Sequence, residues 1–181
     1  MSLFLATLLS GLFLALLGAL LVWNDPRVSS TAKAIPRSNR GAIVFFGLGS
    51  LWFLWRLSRL GEADLIFVQT PTIIMLGFGL LALLAFFYTP DFLAVRGLSI
   101  LMLLAAEPLL YSAYMEWHYP QRLLMVCAVY VGLVSALYLA AAPYRLRDFF
   151  DWLFLRPNRV RVAGSLLLGY GLLTTASAFT Y

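Results

Sequence analysis

The chain has 181 residues, of which 62% are hydrophobic and 12% charged, whereas a soluble domain carries about 25% charged residues. Too little polar surface remains to cover a water-facing globule, and the mean hydropathy of +0.90 places the chain among integral membrane proteins. The net charge of +5 does not indicate nucleic acid, because the cations gather at the ends of apolar runs, where the positive-inside effect accounts for them.

The first apolar run, residues 3–23, lacks the basic leader of a secretory signal and outlasts its short hydrophobic core, so it is read as a retained span. Asn24, Asp25 and Pro26 close it and lead into a polar loop with Arg27, Lys33, Arg37 and Arg40. A second span covers about residues 41–60 and ends among Trp52, Trp55, Arg56 and Arg59, with Gly61, Glu62 and Asp64 as the break. The third covers about residues 65–88. Gln69, Thr70 and Pro71 stand near its start, so its embedded part is expected from Thr72 onward. A short turn, Thr89 to Arg96, precedes a fourth span at about 97–115, which contains Glu107 and Pro108. After the loop Glu116 to Gln121, the fifth span takes residues 122–142 and the sixth 162–179. Between these two, residues 144–155 read as an amphipathic interfacial helix. Its apolar side holds Leu146, Phe149, Phe150, Leu153 and Phe154, and Arg147, Asp148 and Asp151 lie opposite, with Trp152 at the inner interface.

These segments predict one all-α transmembrane domain over residues 1–181, a compact bundle of six helices with the short interfacial helix between helices five and six. Cutting the chain this way puts ten of its thirteen Lys and Arg residues on one side, leaving Arg56, Arg59 and Arg122 on the other. Since Lys and Arg in short loops resist translocation, both termini are expected to be extracytoplasmic in a multi-pass cell-membrane protein, of the bacterial inner-membrane kind. Trp23, Tyr88, Tyr144 and Trp152 would then mark the inner headgroup level, and Trp52, Trp55, Tyr114, Trp117 and Tyr119 the outer one.

Glu107 is the sharpest candidate for chemistry. It falls about ten residues into the fourth span, roughly 15 Å from its inner end, where a carboxylate costs about 2.5–3.5 kcal/mol. It must face protein or water. One reading is a proton or cation site; the other is a polar pin between helices, with Arg56 as partner and Tyr111 and Ser112 as polar neighbours in sequence. Small residues recur every four positions at Ala128, Gly132, Ala136 and Ala140, and again at Gly11, Ala15 and Ala19, which permits close helix packing. Cys127 is the only cysteine, so no intramolecular disulfide forms. His118 with Glu116 falls short of the ligands a zinc site needs.

No metal or cofactor is therefore expected, and no catalytic constellation stands out. The favoured function is a non-catalytic membrane subunit or accessory protein that packs with itself or with larger membrane partners, in contact with lipid and not with nucleic acid. The alternatives are a small transporter or channel working through Glu107, and an integral-membrane enzyme acting on a lipid.

Overall fold

The computed structural model describes residues 1–61 and 70–181, and every regular element among them is helical. In chain order these are α1 (Leu3–Trp23), α2 (Pro26–Ala34), a 3-10 turn (Ile35–Arg37), α3 (Asn39–Gly41), a wide π turn (Ala42–Phe46) that continues directly into α4 (Gly47–Leu57), α5 (Pro71–Tyr88), α6 (Leu93–Ala113), α7 (Arg122–Ala141), α8 (Tyr144–Phe154) and α9 (Pro157–Ala178). The expected break at Glu62 and Asp64 and the expected start of the third span at Leu65 to Gln69 lie outside the described residues.

Four helices, α1, α5, α6 and α7, are long and apolar enough to cross a membrane, with mean hydropathies of 2.5, 2.1, 1.8 and 2.3. The expected second span is divided among α3, the π turn and α4. The expected sixth falls in α9, which has 22 residues but carries Arg159 and Arg161 in its first turns and many Gly, Ser and Thr after them.

Local chemistry sets the breaks. Asn24 takes up the left-handed conformation that ends α1 (φ 51°), which its short polar side chain tolerates. Asp25 then caps α2 by accepting from the Arg27 backbone N–H at 2.8 Å, with Pro26 at the first helical position. The stretch expected as a polar loop is thus helical over Pro26–Ala34. Similarly, α6 starts at Leu93, four residues before the expected span, because Phe92 turns the chain in the left-handed region (φ 57°) and Val95 and Arg96 donate back to its carbonyl.

Packing pairs the first and last long helices. Four glycines let α1 and α9 run antiparallel at backbone contact: a Cβ on Gly18 would lie 2.3 Å from the Leu168 nitrogen, and one on Gly171 would lie 2.3 Å from the Ala15 nitrogen. Gly11 and Gly164 are closed in as well, with backbone nitrogens of Thr175 and Val22 at 2.6 and 2.8 Å from where a Cβ would stand. Such close approach supplies extensive van der Waals contact between the two helices, the kind of packing by which helices associate in a bilayer. At one end, called here the terminal end, Phe4 meets Phe179 edge-on at 5.6 Å, and buried Thr7 shares a hydrogen bond with the Tyr181 hydroxyl at 3.1 Å. Gln121 donates to Thr180 Oγ1 at 2.9 Å in the same region.

The opposite, connector end is crossed by α2 and α8, which face each other through a Lys33–Asp151 ion pair at 3.5 Å. Arg147 pairs with its neighbour Asp148 and not with Asp151, one turn on. Leu146 and Leu153 of α8 are buried and Phe150 and Phe154 half-buried, whereas Phe149 and Trp152 are exposed and stack on each other. Arg159 lies over the Trp152 ring at 4.6 Å and donates to the Trp152 carbonyl at 3.1 Å.

Candidate functional site

The Arg56–Glu107 pair is built by two helices that run parallel. Phe46 meets Gly97, Gly49 meets Ile100 and Arg56 meets Glu107, so partners differ by 51 positions in each case (97 − 46, 100 − 49, 107 − 56). Steps of 3 and 7 residues keep these contacts on one face of each helix. The closest point is Gly97, where a Cβ would stand 2.2 Å from the Phe46 nitrogen. The π turn ends at Phe46. Its backbone therefore lies directly over Gly97, and only a residue without a side chain fits there.

At the upper end of this seam the Arg56 guanidinium donates to Glu107 Oε1 in an ion pair. The two side chains remain 45% and 56% exposed. Arg56 sits in the last turn of α4. Glu107 precedes the end of α6 at Ala113 by six residues, about 9 Å along the helix axis. Pro108 follows within the helix, and its missing N–H leaves the Leu104 carbonyl without its usual partner. Buried Ser112 donates to the Leu109 carbonyl at 2.6 Å, and Tyr111 is 75% exposed. Of the four polar candidates, then, Arg56 and Glu107 are joined, whereas Ser112 turns to the Leu109 carbonyl and Tyr111 is exposed.

Apolar clefts flank α6 among the described residues, and two of them lie where three helices meet. One, of about 480 Å³, lies between α4, α5 and α6, with Phe53, Leu54, Phe78, Ala82, Ile100 and Leu104 among its walls and Ser50 as its one hydroxyl. The other, of about 440 Å³, lies between α1, α6 and α7 with Trp52 at its edge, and no charged side chain lines it. Ala128 and Gly132 of the α7 stripe border this second cleft. Ala136 is fully buried and Ala140 exposed, and a Cβ on Gly132 would make only ordinary contact, at 3.7 Å from Met102.

Outside the clefts, Arg122 donates to the Ala113 carbonyl and lies 4.7 Å over Trp117, tying the α6–α7 loop together. Among the described residues no three His, Cys, Asp or Glu side chains gather as metal ligands would. No family model, curated protein or solved structure matches this chain.

Proposed function

We propose that this protein is a non-catalytic multi-pass membrane subunit, which crosses the bilayer six times and packs through α5 against a larger membrane partner or a second copy of itself. The crossing segments are α1, the α3–α4 stretch, α5, α6, α7 and α9. The connector end carries ten cations, so the positive-inside effect puts it in the cytoplasm and leaves both termini outside. On this reading α8 lies along the inner leaflet, with Phe149 and Trp152 at the headgroup level and Arg147 beside them, against anionic lipid.

The observation that carries the subunit role is α5. None of its 18 residues is buried. It is apolar on every side, and its ring contacts, Phe53–Phe78 at 5.2 Å and Phe46–Phe86 at 5.3 Å, are with α4 and the π turn. Gly77 has nothing within 4 Å of where a Cβ would stand. A glycine inside a helix costs about 1 kcal/mol relative to Ala, and none of the described residues uses the room it leaves. A neighbouring helix does use such room in lipid.

The transport alternative draws less support. Its carboxylate is already paired with Arg56, and both clefts beside α6 are apolar apart from single serines, so they offer a proton or ion no polar path. Purification in mild detergent tests the proposal: light scattering should report an oligomer or a fixed-ratio complex that Gly77→Leu disperses while the fold persists. A monodisperse monomer, unchanged by that substitution and without a stoichiometric partner, would sink it.

A further inference from the structure

The α4–α5–α6 cleft differs from its neighbour in one respect: it has a charged cap. Its walls run from Phe46, the end of the π turn, along α4 to Leu54, about 12 Å at 1.5 Å per residue, or most of one leaflet of a roughly 30 Å hydrocarbon layer. Arg56 follows Leu54 by two residues and Glu107 follows Leu104 by three, so the ion pair bridges the two walls just beyond the end of the lining. Both charged side chains are about half exposed there. Arg56 has five N–H donors, of which the pair engages only part, and the carboxylate keeps free acceptor sites.

An occupant must bring apolar length for the cleft, acceptor oxygens for the guanidinium and N–H donors for the carboxylate. We propose that this cleft binds one phospholipid with a primary-amine headgroup, of the phosphatidylethanolamine type: an acyl chain lies between α5 and α6, the phosphate rests on Arg56, and the ammonium rests on Glu107. A phosphoglycerol head offers Glu107 hydroxyl donors but no cation, so its net negative charge stands uncompensated beside the carboxylate. A phosphocholine head carries a cation that cannot donate a hydrogen bond. Because Arg56 stands in the last turn of α4, the headgroup reaches the pair by descending about one helical turn on that side. The inference rests on the reading that these helices cross a bilayer but not on the subunit role.

The test is native mass spectrometry of the full chain in detergent, offered equimolar phosphatidylethanolamine, phosphatidylcholine and phosphatidylglycerol with identical acyl chains. The ethanolamine adduct should exceed the glycerol adduct about tenfold, the effect of one charge-assisted hydrogen bond made or lost. Glu107→Gln should remove the preference for ethanolamine over choline. Ser50→Phe, which fills the cleft and leaves the ion pair in place, should lower all three adducts together. Thermal transitions in detergent identify variants that have lost the fold; if Glu107→Gln is among them, Ser50→Phe and the wild-type selectivity still decide. Equal adducts of the three lipids on the wild type, an ethanolamine preference that survives Glu107→Gln, or adducts that Ser50→Phe leaves undiminished would overturn the proposal while leaving the membrane reading intact. A chain that does not enter nanodiscs at all would overturn both.

Discussion

Gly169 and Gly171 lie two residues apart on α9, yet the same substitution should move stability in opposite directions. A Cβ on Gly171 would sit 2.3 Å from the Ala15 nitrogen and 2.8 Å from its Cα, whereas one on Gly169 meets nothing within 4 Å. Ordinary contact starts near 3.4 Å, so α1 and α9 must part by about 1 Å to accept Gly171→Ala. The obstacle is backbone and cannot swing away. Overpacking of this kind costs about 1–3 kcal/mol, and the better helix propensity of Ala returns about 0.5–1 kcal/mol. Gly171→Ala should therefore destabilise by about 0.5–2 kcal/mol, because parting the helices at Gly171 also loosens the contacts at Gly11 and Gly18. Gly169→Ala keeps the propensity gain alone and should stabilise by about 0.5–1 kcal/mol. Reversible unfolding in mixed micelles, titrated with sodium dodecyl sulfate and followed by Trp fluorescence, reads both. If Gly171→Ala proved as stable as Gly169→Ala, the α1–α9 backbone contact would not hold this protein together.

The seam between α6 and the π turn gives a second matched pair: Gly97→Ala should lower the thermal transition by the equivalent of about 1–3 kcal/mol, while Gly47→Ala, with nothing within 4 Å, should not lower it. For the ion pair, Glu107→Gln should be tolerated, and Glu107→Leu should cost about 1–2 kcal/mol by leaving Arg56 unpartnered; a loss of stability in the Gln variant as large as in Leu would show that the negative charge itself is needed. Single cysteines at Ser29, Asp91 and Asn158, in a Cys127→Ala background, should be protected from an impermeant thiol reagent in intact cells, while one at Gln121 is labelled; labelling of Asn158 from outside would reverse the proposed orientation.

How much of this was legible in the sequence differs from helix to helix, for reasons of period and chemistry. The apolar runs of α1, α5, α6 and α7 are plain in hydropathy because length and composition alone define them. By contrast, α9 is weak in that signal for the same reason that it packs well: Gly164, Gly171, Thr174 and Ser177 lower its hydropathy and are buried residues of the helix. Small residues every four positions suggested Gly11, Ala15 and Ala19 as one stripe, yet the buried line of α1 runs Thr7, Gly11, Ala15, Gly18, and Ala19 is exposed. Four-residue steps advance 400° on a helix with 100° per residue and so drift 40° each time, and a straight contact restores its face by taking a step of three. The drift also carries Ala140 to the outside while Ala136 stays buried. Arg56 and Glu107 were identifiable as charges inside expected spans and so in need of partners, because desolvation cost depends on depth and depth is read from the span. Their meeting depended on something no periodicity records. Parallel packing of α4 and α6 at an offset of 51 brings Gly97 under Phe46, where the π turn ends. The same offset holds along the seam, and the ion pair at its far end follows from it.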